Sequence, residues 1–513
     1  MKRNINLKVI TGGLLLTALM TISCSKDSDP ASTTTPPVDG GTDDTPASFD
    51  IATITDTYPG FGPSNVYNWG YRNVHDPSII KDGNTYYCYS TDVCYGAAIR
   101  PGVQVRKSTD LIKWEYVGWV FNGLPAMGAQ YIRSFANTIT PAPGDMAEPF
   151  NALWAPYTMK VGNEYRLYYS LSSEVGRLSV IGLATSSSPV GPWTERGLAV
   201  TSPPDISGSR QTNAIDPTVV IDQAGKHWMY YGSAWDGIYM LELNPETGLA
   251  KNSGDKGRRV AQRGSTGNRI NGNIEGPEVI FNAQLNKYYM FIAYDWLQTK
   301  YNVRVGRSDS AEGPFLDYAG NDINNNLDDS PMILAPYKFN GHSGWQGVSH
   351  CAVFKDDNNQ YYMAHQGRPG IDSFYMDMHV RPMFWTEEGW PIVSPERYAA
   401  VAQTALASTD LVGNYEQIIL GYQVVPGYAA EQNNPNFQTS TALVLNANGT
   451  INGESANTWT YAAPWLTLRW GGGVFVDKLH VERGRDWENS KTSTILLSGL
   501  NNQGTAIWGK KID

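Results

Sequence analysis

Cysteine is scarce in this 513-residue chain, and none of its four copies, Cys24, Cys88, Cys94 and Cys351, stands at metal-site spacing. Setting Cys24 aside leaves an odd number, so at least one thiol stays unpaired. Buried free thiols are expected, although a Cys88–Cys94 disulfide would suit an exported chain. Basic residues are also short, with 39 Lys and Arg against 49 Asp and Glu and a formal net charge of -10. That argues against nucleic acid as a partner and leaves a neutral polymer compatible. Long apolar runs are missing as well. The run Leu14 to Met20 is too short to cross a bilayer. Behind Lys2, Arg3 and Lys8 it reads as a signal segment, residues 1–23, that is removed.

The "TISC" that follows resembles a bacterial lipobox, which would make Cys24 the lipidated first residue of the mature chain. Residues 24–50 are rich in Pro, Thr and Asp with almost no apolar side chains, so they cannot offset the entropy of ordering and are expected to form a flexible tether. Asp and Ser directly after Cys24 resemble the export signal of some surface lipoproteins, placing the expected anchor at the outer membrane and cell surface. The lipid would be the only membrane contact.

What is plentiful points to β structure. The chain has 51 Gly, 30 Pro, 16 Trp and 30 Tyr but only 17% charged residues, which favours turn-rich sheets over a helical bundle. Five segments share one pattern: "HDPSIIKDGNTYYCYS" from His75, "WAPYTMKVGNEYRLYYS" from Trp154, "IDPTVVIDQAGKHWMYYGS" from Ile215, "EGPEVIFNAQLNKYYMFIA" from Glu275 and "SHCAVFKDDNNQYYMAHQG" from Ser349. Each is an apolar strand, a polar turn and a Tyr-rich strand. Asp82-Gly83, Gly162-Asn163 and Asp357-Asn358-Asn359 supply the hairpin turns. A second β-rich portion trails each hairpin, so the units hold about four strands and repeat five times. An all-β fold follows: a five-bladed β-propeller over residues 51–405. After "SPERYAA" the pattern stops, and 406–513 is expected to form a small β-sandwich or barrel.

In a propeller the starts of the innermost strands converge on one mouth of the channel. Here they bring Asp76, Trp154, Asp216, Glu275 and His350. A proline disfavours helical backbone in the residue before it, so Asp76 and Asp216 are expected to be extended and aimed at the mouth. Carboxyls gathered there repel, so one is expected to hold a proton while another stays ionised. That division is the equipment of glycoside hydrolysis. Glu275 and Glu278 both flank Pro277, and pattern alone leaves them as rivals.

"VHDPSIIKDGNTYY", "NAIDPTVV", "YGSAWDGIYMLELNPETG", "IEGPEVI" and "HVRPMFWTEEGWPIVSPERY" together resemble glycoside hydrolase family 43, most of all its two-domain bacterial endo-α-1,5-L-arabinanases. The resemblance implies that Asp76 is the general base, that Asp216 tunes and orients the acid, and that Glu275 rather than Glu278 is the general acid. It implies a metal in the channel, usually calcium with mostly water ligands, held by His350. The run "GHSGWQGVSHC" departs from the short Gly-His-Asn form of relatives, which keeps His342 as a rival. Trp154, Asn213, Ser233 and Trp235 lie in matching motifs and are the candidate sugar contacts. Trp69 and Trp345 are further candidates for the cleft, and Arg381 either reaches the channel or forms a structural ion pair. The expected function is inverting cleavage of internal bonds in arabinan. Exo-acting arabinofuranosidase or β-xylosidase activity is the enzymatic alternative, and a glycan-binding surface lipoprotein the non-catalytic one.

Overall fold

A computed structural model describes residues 67, 69–92, 102–135, 147–205, 211–266, 269–325, 331–421 and 433–513. Cys24 and Cys94 lie outside them, as do the signal segment and the tether. The fold is the five-bladed propeller followed by a closed barrel. Blade 1 comprises His75–Asp82, Thr85–Thr91, Gln104–Ser108 and Glu115–Trp119. Blades 2 to 4 start with Trp154–Val161, Thr218–Ile221 and Ile274–Asn282, each followed by three more antiparallel strands. Blade 5 is built on Trp345–Lys355, Tyr361–Pro369, Asp377–Trp385 and Pro391–Val393. The hairpins turn where expected, with Gly83, Gly162 and Asn359 at φ 57°, 59° and 62°.

What closes the ring is apolar packing between blades. Each blade junction has its own buried cluster: Tyr89 with Leu167, Tyr168 with Met229, Tyr230 with Met290, Phe291 with Val353, and Cys88 with Ala364. The Tyr-rich second strands thus fill the space between sheets, which a narrower side chain would leave open. Blades 5 and 1 are also stitched by the backbone, where Met378 N–H donates to Tyr71 O at 2.9 Å and Asn73 N–H to Met376 O at 2.9 Å. Cys88 and Cys351 are free and buried, so the disulfide considered for Cys88 is not made. Burial pushes the Cys88 thiol up to about 12, and it serves as a small apolar core residue.

The C-terminal barrel has eight strands, running from Gly413–Leu420 to Ala506–Lys511, which pair with each other and leave no open edge. Leu443, Leu466, Leu479 and Leu497 fill its interior. Its outer face docks on blades 4 and 5 through Ile418, Leu420 and Trp508, which share one core with Trp345 and Tyr337. Trp345 is therefore a core residue at 3% exposure, not a cleft residue, and Trp69 at 2% is likewise buried against Tyr116. Arg381 is no channel residue either. Its guanidinium donates to His365 Nε2, Tyr337 Oη and Ser394 O, with Trp508 over it, beneath the barrel.

Candidate active site

At the head of every inner strand the backbone makes the same irregular step. Asp76, Ala155, Asp216, Gly276 and His350 all have positive φ, at 51°, 35°, 58°, 56° and 49°. Strand register breaks at four of these points, between His75 and Ser78, Trp154 and Tyr157, Glu275 and Glu278, and Ser349 and Ala352. The extended backbone expected of Asp76 and Asp216 is therefore wrong: the residue before proline is left-handed. The physical reason is a hydrogen bond from the neighbouring blade. Asp76 N–H donates to Gln366 Oε1 at 3.0 Å, Ala155 N–H to Thr91 Oγ1 at 2.8 Å, Asp216 N–H to Ser170 Oγ at 3.0 Å, and Gly276 N–H to Asp216 Oδ2 at 3.2 Å. Asp tolerates this region better than most residues. At Gly276 a Cβ would also come within 2.9 Å of His350 Nδ1, so only glycine fits.

This step moves the equivalences by one residue. Asp76, Asp216 and His350 share one position of the repeat, whereas Glu275 and Trp154 stand one place earlier, beside the bulge. Glu275 still joins the same site, entering from the preceding position of blade 4. Both its carboxylate oxygens are held, Oε2 by Ser233 Oγ and Oε1 by Tyr301 Oη, each at 2.7 Å. Glu278 faces elsewhere. It lies between blades, where Thr218 Oγ1 donates to Oε2 at 2.9 Å and Val353 N–H to Oε1 at 3.1 Å, and burial pushes it up to about 7.

The two Asp residues are driven apart electrostatically. Burial opposes ionisation of Asp76, but His350 and His75 outweigh it and hold the carboxyl well below the usual range. His350 Nδ1 lies 3.0 Å from Asp76 Oδ1; His75 Nδ1 and Thr91 Oγ1 each lie 2.7 Å from Oδ2. Asp216 goes the other way. Burial raises it well above its ordinary value, and the negative charges of Glu275 and Asp76 add to the shift against the opposing pull of His350. One carboxylate and one carboxylic acid result, as repulsion requires.

His350 ties the acids together. Burial alone would lower it, yet Asp76, then Asp216 and Glu275, raise it to about 9. Tyr301 remains a phenol because burial and the field of Glu275, Asp76 and Asp216 raise it strongly, and its O–H donates to Glu275. Arg368 completes the cluster. Buried at 2% exposure, it lies 3.4 Å from His75 Nε2 and bonds Leu297 O and Ser373 O. Arg368 donating to Nε2 fixes His75 as the neutral tautomer that donates from Nδ1 to Asp76.

The sugar-contact candidates are divided. Trp154 is half-buried and lies against Phe150 at 5.2 Å, and Trp235 is half-buried above Gly176 with Arg177 6.0 Å from its ring. Both leave part of their surface exposed. Ser233 acts on Glu275. Asn213 is 1% exposed and meets Ser202 Oγ at 3.5 Å, so it props the backbone before Asp216 and offers almost no surface. His342 is remote from the acids. It accepts Gly344 N–H and lies near Lys510 and Glu488 at the barrel, which removes it as a channel ligand.

His350 is charged near neutral pH, so a cation held by it must displace the proton on Nε2. With Nδ1 committed to Asp76, the ring leaves Nε2 for another ligand, the pattern of metal-binding histidines whose second nitrogen bonds a carboxylate. Calcium prefers oxygen, so a lone imidazole nitrogen would suit it only with water supplying the rest of the shell. Among the described residues the one group of three convergent acid or His ligands is Glu396, Asp486 and Glu488, and Lys510 Nζ already fills it at 2.8–2.9 Å.

A propeller that gathers an ionised Asp, a protonated Asp and a doubly held Glu at one end of its channel defines an enzyme that cleaves carbohydrate. Residues 71–391 match glycosyl hydrolases family 43, and 395–509 match a C-terminal lipocalin-like domain. The chain belongs to glycosyl hydrolases family 43. It is similar to the extracellular endo-α-(1→5)-L-arabinanase of Thermotoga petrophila, with 27% identity over 476 residues, covering 86% of this chain and 94% of that protein. The crystal structure of a T. petrophila endo-1,5-α-L-arabinanase superposes with a TM-score of 0.71 at 26% identity, covering 86% of this chain and 99% of that one. An extracellular exo-α-(1→5)-L-arabinofuranosidase of Cellvibrio japonicus is 27% identical over 340 residues, covering 63% of this chain and 86% of that protein.

Proposed function

We propose that this protein hydrolyses internal α-1,5-L-arabinofuranosidic bonds of arabinan with inversion. The observation that carries the reading is the division of charge between Asp76 and Asp216 beside a Glu275 aimed by two hydroxyls. Asp76 takes a proton from water as its oxygen attacks the anomeric carbon. Glu275 gives a proton to the departing O5, so the C–O bond breaks as the new one forms on the opposite face. Burial, with the field of Glu275 and Asp76 added to it, keeps a proton on Asp216. Ser233 and Tyr301 hold Glu275 in place. Trp154 and Trp235 present ring faces to the sugar's C–H surface. His350 would hold calcium, which would supply positive charge to the site when bound.

Endo action is favoured over exo action by extent of similarity, because the endo-acting relative is matched through both domains. Incubation with linear arabinan is expected to give mixed oligosaccharides early. Release of monosaccharide alone would mean exo action, and no product at all would leave only binding. We also propose an exported, lipid-anchored mature chain, supported by the signal segment, the lipobox-like Cys24 and the extracellular relatives. Protein extracted from membranes is expected to show a diacylglycerol on Cys24 by intact mass and one bound calcium by elemental analysis, the metal being lost in His350→Ala. An unmodified Cys24 or a metal-free wild type would reject the corresponding half.

A further inference from the structure

Under the strap of residues 399–406, between blade 5 and the barrel, lies a cavity of about 550 Å³, within the size range of small-ligand sites. Phe384, Tyr398, Tyr461 and His480 contribute rings to its walls, with Phe384 and His480 stacked 3.8 Å apart at 21°. Glu482 reaches it from the barrel strand Phe475–Asp486. This side chain is 6% exposed and its Oε1 has no hydrogen-bond partner; Nδ1 of His480 is also buried without one. Each unmatched buried polar atom costs roughly 1–3 kcal/mol. A ligand that bonds both would remove that cost.

The chemistry of the walls selects the ligand. Burial lowers His480 to about 4 and raises Glu482 to about 7, so near neutral pH the imidazole is neutral and the carboxyl is divided between its protonated and ionised forms. Arg397 and Arg483 also line the cavity, so carboxyl and guanidinium groups stand together beside the rings, and a ligand with many hydroxyls and apolar C–H faces matches this mixture better than one of a single charge. Strand direction separates this cavity from the acids. Inner strands begin at the acid cluster, so the start of the second strand at Tyr361 and the end of the third at Trp385 lie at the opposite end of blade 5. Gln360, Tyr362 and Phe384 of the cavity are at that far end.

We infer that the interdomain cavity is a second, non-catalytic carbohydrate site that holds a short stretch of the polymer through Tyr461, Tyr398, His480 and Glu482. The identity of the sugar rests on the arabinan reading above. A chain held there is kept on the enzyme, and only one long enough to run from that far end to the mouth is presented to the acids, so the gain appears with polymer and not with short oligomers. With the Glu275→Gln protein, calorimetric titration of linear arabinohexaose is expected to show two sites, and one when Tyr461→Ala or Glu482→Gln is added. In the otherwise native chain, Tyr461→Ala is expected to raise KM for long arabinan about 5-fold, with kcat and arabinohexaose turnover unchanged. Glu482→Gln, which preserves volume, is expected to follow it without a lower melting temperature. One site in the Glu275→Gln protein, or unchanged KM in both cavity variants, overturns the second site while leaving hydrolysis standing. If the native chain makes no product from arabinan but two binding events persist, the hydrolytic reading fails and the cavity remains a sugar site.

Discussion

Glu275→Gln is expected to lower hydrolysis of linear arabinan by about 10³-fold, in line with the loss of a general acid. Binding of the polymer is expected to stay within about 3-fold, because the amide keeps the shape of the side chain and can still accept from Ser233 or Tyr301. The comparison that makes this decisive uses the leaving group. An aryl arabinoside with an acidic phenol needs no proton to depart, so Glu275→Gln is expected to lose much less on it, whereas Asp76→Asn, lacking the base, is expected to lose activity on both substrates. Tyr301→Phe removes one of the two bonds to Glu275 and is expected to lower kcat about 10-fold, with KM little changed. Glu278→Gln is expected to keep near-native kcat, since its carboxyl serves Thr218 and Val353 between blades. Retention of more than a tenth of native activity in Glu275→Gln would move the acid elsewhere. Asp216 would then be the candidate, because it holds the proton in the free protein.

Much of this architecture is written locally. Each hairpin declares itself through alternation and a turn residue that accepts positive φ, and five such hairpins of similar length leave few ways to bury their Tyr-rich strands. Asp76 and Asp216 are visible because proline follows both, although the backbone there is set by Gln366 and Ser170 from the neighbouring blade and not by the proline. Tertiary hydrogen bonds outweigh a local preference, and no local pattern announces them. The same holds for Tyr301, Arg368 and His75. Tyr301 comes from the loop before the third strand of blade 4, and Arg368 lies 293 residues from the His75 it bonds. His75 stands beside Asp76 in the sequence, but its role depends on a partner that only the closed ring supplies. Trp345 and Arg381 fail as site residues for the converse reason: the barrel covers them, and docking of a second domain leaves no mark on their own strands.

That docking is locked by one buried lysine, and Lys510→Met is expected to release it. Lys510, on the last barrel strand, meets Glu396 at 2.9 Å and Asp486 and Glu488 at 2.8 Å each, with its ammonium 4.0 Å from the Phe339 ring of the propeller side. Glu396 follows the last propeller strand, whereas Asp486 and Glu488 belong to the barrel, so the cluster spans both domains. Burial, followed by Glu488, raises Glu396 well above its ordinary value. Against the cost of burial, Lys510 and the hydrogen bond from Glu396 keep Glu488 ionised. Removing the lysine leaves two buried negative charges and a shared proton without their cation. Breaking a buried pair this way costs about 3–5 kcal/mol, which for a unit the size of the barrel corresponds to a melting transition lower by roughly 10 °C or more. Lys478, which pairs with Glu387 across the same two domains but in solvent, supplies the control. Lys478→Met is expected to shift melting by about 2 °C or less, since exposed pairs contribute 0–1 kcal/mol. Calorimetry is expected to show an early barrel transition in Lys510→Met alone, and Glu396→Gln with Glu488→Gln added to it is expected to restore part of the loss by removing the stranded charge. Equal shifts in Lys510→Met and Lys478→Met would show that desolvation adds nothing at this interface, and that apolar packing of Ile418, Leu420 and Trp508 alone holds the barrel in place.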